Sequence, residues 1–299
     1  MLHEIYNIVV GVGPFTEPQS HLVDILGALA WFKNDGVRVQ IVSVVNPDDL
    51  GWSKNLENER WIDEIEEKAY GDLKAKLHTP HSNQSFEFHI LVQREASKSK
   101  TVLQFLEFAS QIDADIVVVH SHTKSFFKSS LGSFCNKLVH HSTLPVLVLP
   151  FGESVSSSLR AILYPTDFSG LSEIAFKSVV KWCDSIHAHL TLYHRIARPI
   201  DEILQVALHP IESKTVSPED IVLISEEEVV KKGREWTYGV ASVTRKISFK
   251  MDSDKMTLPE AILAQAEKQN IDLIVMPSHT SHRNIPSIGS AVDHVLRRK

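Results

Sequence analysis

The chain has 299 residues, 43% hydrophobic and 23% charged, the balance of an ordinary globular protein long enough to bury two cores. Its first 150 residues carry 13 basic and 18 acidic residues and the remainder 18 and 19, for a net charge of −6, so neither half has the basic footprint that nucleic acid demands. No apolar run reaches the roughly 18 residues of a membrane span, and residues 1–6 hold no charged region leading into a signal-like core; the expectation is a cytoplasmic protein.

In chain order, the apolar run Ile8–Val12 reads as a strand buried on both faces of a parallel sheet. Helix periodicity follows over residues 21–36, with Leu22, Ile25, Leu26, Leu29 and Phe32 on one stripe and Gly36 as the expected C-cap. Next come a strand Arg38–Val45, an acidic helix Glu57–Leu77, a strand Phe86–Val92, a helix Thr101–Gln111 and a strand Asp115–Val119. A fifth apolar strand is expected at Val146–Leu149, after which GESVSSS (residues 152–158) marks a seam without apolar periodicity. The order then restarts with a strand Ala161–Tyr164 and a helix over residues 172–188, with Ile174, Ala175, Val179 and Trp182 inward and Ser172 as one candidate cap. Strands His189–His194, Ile247–Met251 and Asp272–Met276 alternate with helices Pro218–Gly233 and Leu258–Gln269. Glu226–Glu228 reads as a solvated helix face or helix start. Alternating β and α elements predict open, parallel, doubly wound sheets with ligand crevices at the carboxyl ends of their strands.

The restart is a duplication. Residues 114–141 align without a gap on residues 271–298, with eight of 28 positions identical, among them Ser121/Ser278, His122/His279, Thr123/Thr280, Gly132/Gly289 and Ser133/Ser290. NIVVGVG (7–13) matches AILYPTD (161–167) at nearly the same offset, so each repeat is a whole domain: residues 1–152 and residues 157–299. The two cysteines, Cys135 and Cys183, stand at non-equivalent places in the repeats, which speaks for buried helix residues over a disulfide or metal framework. The repeated Ser-His-Thr lacks a nucleophile elbow, and His140, His141 and the other histidines lack a repeated ligand spacing, so neither catalysis nor a metal is expected.

ILYPTDFS (162–169), AHLTLYH (188–194), DLIVMPSHT (272–280) and IGSAVDHVL (288–296) together resemble the universal stress protein family over most of both halves. The resemblance implies two tandem α/β domains of the adenine nucleotide α-hydrolase-like, Rossmann-like type. It also implies that one branch of the family binds ATP, through an Asp after the first strand and a loop of the form G-x-x-G, nine residues, G-[ST]. Glycines let backbone amides approach phosphate, and the final Gly-Ser opens a helix whose N-terminus favours anions.

Carried over, the second domain keeps Pro165, Thr166 and Asp167 at its first strand and Gly289 and Ser290 at the helix start, with Met276, Ser278 and Thr280 lining the intervening loop. Pro277 and Thr280 replace the spaced glycines, and eight residues separate Thr280 from Gly289. Proline offers no N–H, and one lost hydrogen bond to a charged group, about 1.5–3 kcal/mol, weakens binding about tenfold or more. ATP binding in domain 2 is therefore expected to be weak, with ADP or AMP as alternatives. Asp167 either reads the nucleoside or caps the following segment. In the first domain Gly13 replaces that aspartate, and His120 and Thr123 replace the loop glycines, so ATP is not expected there; Lys124, Ser125, Lys128, Ser129 and Ser130 are read as a solvated loop in preference to side chains that hold an anion near a helix N-terminus.

Three function classes follow: a non-catalytic stress-response protein acting through an unknown protein partner, an ATP- or AMP-binding sensor working through domain 2, and a slow nucleotide hydrolase. The second repeat has no equivalent of Val146–Leu149 within these 299 residues, so its domain is expected to lack a last strand. Family members resemble one another in pairing through this strand, which places Pro145–Leu149 at a homodimer or intrachain domain interface. The long connection from Arg198 to Pro218 is read as disordered in preference to a lid.

Overall fold

Isoleucine and valine runs become strands here because both faces of each central strand are covered. A computed structural model of the chain describes residues 5–13, 19–32, 36–46, 50, 58–76, 86–95, 97–121, 132–150, 155–196, 226–241, 243, 246–252, 256–277 and 289–297. These residues form two compact units, one of Met1–Ser158 with Ser278–Lys299, the other of Leu159–Pro277.

In the first unit the strands are β1 (Asn7–Gly11), β2 (Arg38–Val45), β3 (Phe86–Val92), β4 (Ile116–His120) and β5 (Val146–Leu149). They lie parallel in the order β3-β2-β1-β4-β5, so the order reverses between β1 and β4. Parallel neighbours require crossovers, and helices α1 (Gln19–Leu29), α2 (Glu59–Lys76), α3 (Lys98–Gln111) and α4 (Ser133–His141) supply them. Ile8, Val9 and Val10 are fully buried. Phe105 and Val119 crowd Gly11, where an added Cβ would come within 3.0 Å of Val119. Several helix boundaries differ from the sequence expectation: Glu59–Lys76 is shorter than Glu57–Leu77, Lys98–Gln111 starts a turn before Thr101, and the helix expected to end at Gly233 runs to Gly239. α1 ends at Leu29, where the amides of Ala30, Trp31 and Phe32 turn to carbonyls three residues back, and Gly36 (φ +91°) serves the turn into β2 instead of capping the helix.

In the second unit β6 (Ala161–Pro165), β7 (His189–Arg195), β8 (Ile247–Asp252) and β9 (Leu273–Ile274) form a four-stranded parallel sheet in the order β8-β7-β6-β9. This is the shorter second sheet that the sequence anticipates. Among the described residues β9 pairs with β6 and keeps two ladder residues where Asp272–Met276 was expected. Helices α5 (Gly170–Ser185), α6 (Glu226–Gly239) and α7 (Leu258–Lys268) belong to this unit, and α8 (Ser290–Arg297) to the first. α5 buries Ser172, Phe176, Val179, Val180, Trp182 and Cys183. Ile174, expected inward, is 59% exposed, and the cap is Ser169, whose Oγ accepts from the Ser172 amide at 3.3 Å. Ser172 itself lies inside the helix.

The repeats share one clamp at the amino end of each sheet. Asp115 Oδ2 accepts from the amides of Tyr6 and Asn7, both at 2.9 Å. Asp272, its repeat equivalent, accepts in the same way from Arg160 and Ala161 at 2.8 and 2.9 Å. Both cysteines are buried, as expected, and burial pushes each thiol up to about 12.

Candidate functional site

In open parallel sheets ligands bind outside the carboxyl ends of the strands, where the strand order reverses. In the second unit that point lies between β6 and β9. Pro165 ends β6, buried, and Thr166 continues the ladder by donating its amide to the Tyr193 carbonyl at 2.9 Å. Val12 does the same with Val42 in the first unit, at 3.0 Å. Beyond this ladder bond the chain turns on its own side chains. Thr166 Oγ1 accepts from the Phe168 amide and Asp167 Oδ1 from the Ser169 amide, each at 2.9 Å. These two bonds hold Phe168 at φ +58°, a left-handed conformation rare for a bulky residue.

Asp167 is solvent-exposed, with one carboxylate oxygen engaged by the turn. Thr166 is buried, and its carbonyl receives His194 Nδ1 at 2.8 Å from the end of β7. The His194 ring lies 4.9 Å from the Phe168 ring, which meets Trp236 of α6 edge-on at 5.1 Å. Burial holds the His194 imidazole below its ordinary pKa; the Thr166 carbonyl and the Asp167 charge pull it upward, and Lys232 pushes it down. A neutral imidazole, a carboxylate and a threonine thus gather on an aromatic base at the mouth of the sheet.

The remaining expected site residues are distributed as follows. Met276, half-buried, stands two residues past the ladder pair Leu163–Ile274, as Pro165 does. Ser278 and Thr280 lie outside the described residues. Gly289 and Ser290 open α8 as anticipated, with the Asp293 amide donating to the Gly289 carbonyl at 3.1 Å, and both belong to the first compact unit. There α8 sets Leu296 against the unit's core and hydrogen-bonds Asn136 through Arg297 Nη2 at 3.3 Å. The Arg297 guanidinium holds the Asp293 carboxyl below the usual carboxylate range.

In the first unit Gly132 is the N-cap of α4, and His120 is buried at the end of β4. His122, Thr123 and the Lys124–Ser130 loop are outside the described residues, as are His279 and the connection Arg198–Pro218. At the carboxyl ends of β2 and β3 the first unit places a buried polar network. Asn46 Nδ2 donates to Gln93 Oε1 at 3.1 Å and Thr101 Oγ1 at 2.9 Å, and Thr101 Oγ1 donates to Gln93 Oε1 at 2.7 Å. His194, Phe168, Lys232 and Trp236 are absent from the set expected from sequence. His194 alone carried a readable signal, as a polar residue closing an apolar strand at its carboxyl end.

Among the described residues no group of three or more His, Cys, Asp or Glu side chains is placed to hold a metal ion. Nor, among the described residues, is any helix long and apolar enough to cross a membrane. No curated protein sequence matches the chain. A universal stress protein from Archaeoglobus fulgidus DSM 4304 shares the fold over 99% of this chain and 94% of its own, with 19% identity and a TM-score of 0.64. A putative universal stress protein from Pseudomonas aeruginosa UCBPP-PA14 does so over 99% and 91%, with 11% identity and a TM-score of 0.61. A universal stress protein from A. fulgidus in complex with dAMP matches 50% of this chain and 98% of its own, with 18% identity and a TM-score of 0.31. The model of the universal stress protein family matches twice, over residues 5–150 and 158–298, and the chain therefore belongs to the universal stress protein family as a tandem pair of its domains.

Proposed function

We propose that this chain is a non-catalytic, cytoplasmic stress-response protein whose two phosphate loops are degenerate, with weak adenine nucleotide binding confined to the second domain, residues 157–299. The observation that carries the reading is the exposed Asp167 carboxylate beside Thr166 at the carboxyl end of β6, where a nucleoside would enter. Pro165 and Met276 stand at that place; Ser278, Thr280, Gly289 and Ser290 are added to the proposed nucleotide contacts from the family resemblance of the sequence alone. Pro277 and Thr280 stand where the family's loop glycines do and remove amide donors, which favours AMP or ADP over ATP.

A full ATP or AMP sensor working through the same residues is the second reading, favoured by the retention of Asp167 together with Gly289-Ser290. Native mass spectrometry for co-purified nucleotide, followed by calorimetric titration with ATP, ADP and AMP, separates the two. Micromolar binding abolished by Asp167→Ala supports the sensor. Binding near millimolar, weakened by Asp167→Ala, supports the weak-binding reading. Heat-independent silence at millimolar nucleotide leaves a protein partner as the means of action.

We also propose that Pro145–Leu149 forms an interface. β5 is the terminal strand of its sheet, and a terminal strand offers its free edge for pairing. Analytical ultracentrifugation of the wild type and of Val148→Pro tests the homodimer form of this proposal.

A further inference from the structure

The second unit contains a hydrogen-bond acceptor that the nucleotide motif does not include. His194 ends an apolar strand, and its Nδ1 lies 2.8 Å from the Thr166 carbonyl oxygen. A carbonyl only accepts, so Nδ1 must carry the proton, and in a neutral imidazole the other nitrogen then presents a lone pair. Among the described residues no hydrogen-bond partner of Nε2 is found, and the residue as a whole is half-buried. Burial keeps the ring neutral at pH 7, with Asp167 and Lys232 as the charged groups whose fields reach it. The contact with Phe168 fixes the plane of the ring, and Phe168 is itself fixed by Trp236.

The internal repeat supplies an independent observation. Asn7 pairs with Arg38 and Ala161 with His189, so five residues further along Ser43 occupies in the first repeat the place of His194 in the second. Ser43 is fully buried. Gly13 likewise occupies the place of Asp167. The imidazole and the carboxylate are thus present together in one repeat and missing together from the other, the pattern of two parts of one recognition device.

We infer that His194 Nε2 is a specificity-determining acceptor of the second domain's site, taking an N–H or O–H donor from the nucleoside part of the ligand while Asp167 takes another. This deepens the nucleotide reading and rests on it. Two donors on an adenine nucleoside fit the chemistry, the exocyclic amine of the base and the ribose 2′-hydroxyl, and they are separable by ligand.

The test is calorimetric titration of the full chain with AMP, IMP, which lacks the amine, and 2′-deoxy-AMP, which lacks the hydroxyl. It is repeated with His194→Phe, which keeps a ring but no acceptor, and His194→Gln, whose amide oxygen restores one. A neutral hydrogen bond corresponds to a preference of about three- to tenfold. The wild type is expected to prefer AMP over IMP or over 2′-deoxy-AMP by that factor, identifying the donor. His194→Phe should abolish the preference and His194→Gln should recover part of it. Equal binding of all three ligands by the wild type, or a uniform loss across them in His194→Phe, overturns the assignment and leaves the nucleotide reading standing. Absence of binding by all ligands to the wild type overturns both. A nitrogen-15 spectrum of the imidazole, which needs no ligand or variant, must show the proton on Nδ1; a proton on Nε2 at pH 7 refutes the assignment outright.

Discussion

Truncating Asp272 to alanine should loosen the second unit at its amino end. Its carboxylate holds the Arg160 and Ala161 amides at 2.8 and 2.9 Å, and these begin the strand on which the unit is built. Hydrogen bonds to a charged group contribute about 1.5–3 kcal/mol each when removal leaves a buried partner stranded. Both bonds here lie at an exposed edge where water replaces the lost acceptor, so the pair together is expected to contribute about 1–2 kcal/mol. For a domain of this size that corresponds to a fall of roughly 3–8 °C in the melting temperature. Amide hydrogen exchange gives the local readout: Arg160 and Ala161 should lose protection in Asp272→Ala, and Asp272→Asn, which keeps a neutral acceptor, should fall between. Asp115→Ala should expose Tyr6 and Asn7 in the first unit in the same way. Unchanged exchange at Arg160 and Ala161, together with an unchanged melting temperature, would refute the clamp.

Thr101→Val, nearly isosteric, strands Asn46 and Gln93 in a buried network and should destabilise the first unit by about 1–3 kcal/mol in urea unfolding; a change within error would mean that the network is loosely held. Cys135 and Cys183, with thiols raised to about 12 by burial, should resist a thiol-alkylating reagent at pH 8 and both react in denaturant, counted by intact mass. His194 has a folded-state pKa below the ordinary 6.5, so below that pH the unfolded chain binds the extra proton first. The stability of the second unit should therefore fall as pH drops through 6.5 toward the folded-state value, and His194→Gln should flatten this part of a pH series of urea midpoints.

Much of the strand pattern is written plainly in the sequence. Arg38–Val45, Phe86–Val92 and Val146–Leu149 are found with the bounds that apolar runs and turn residues indicate, the first almost wholly buried and the other two half-buried at the edges of the sheet. The face of α5 was harder to read. Leu171, Ile174, Ala175, Phe176, Val179, Val180 and Trp182 surround much of the helix, so periodicity alone admits more than one stripe, and the rotation is set by tertiary packing such as Phe176 against Tyr164 and Trp236. The end of α1 depends on three-residue hydrogen bonds that no single residue type announces. At the candidate site, Thr166 and Asp167 were visible as a family motif. The role of His194 was not, because it requires a carbonyl 28 residues away to fix its tautomer.

The positions at which the two repeats still agree, and those at which they part, divide by location in the sheet. Asp115 and Asp272 agree at the amino end, where the fold itself explains them by identical pairs of amide bonds. At the carboxyl end Gly13 faces Asp167 and Ser43 faces His194 in the alignment, which leaves the first repeat without the carboxylate and without the imidazole. In the first unit Asn46, Gln93 and Thr101 instead hydrogen-bond among themselves at the ends of β2 and β3. A network satisfied internally gains nothing from a ligand's donors and loses bonds if one intrudes, whereas an imidazole with one nitrogen bonded and the other open gains a bond when a donor arrives. The two crevices are therefore expected to differ in kind, the first rigid and closed to hydrogen-bond recognition, the second preorganised for it.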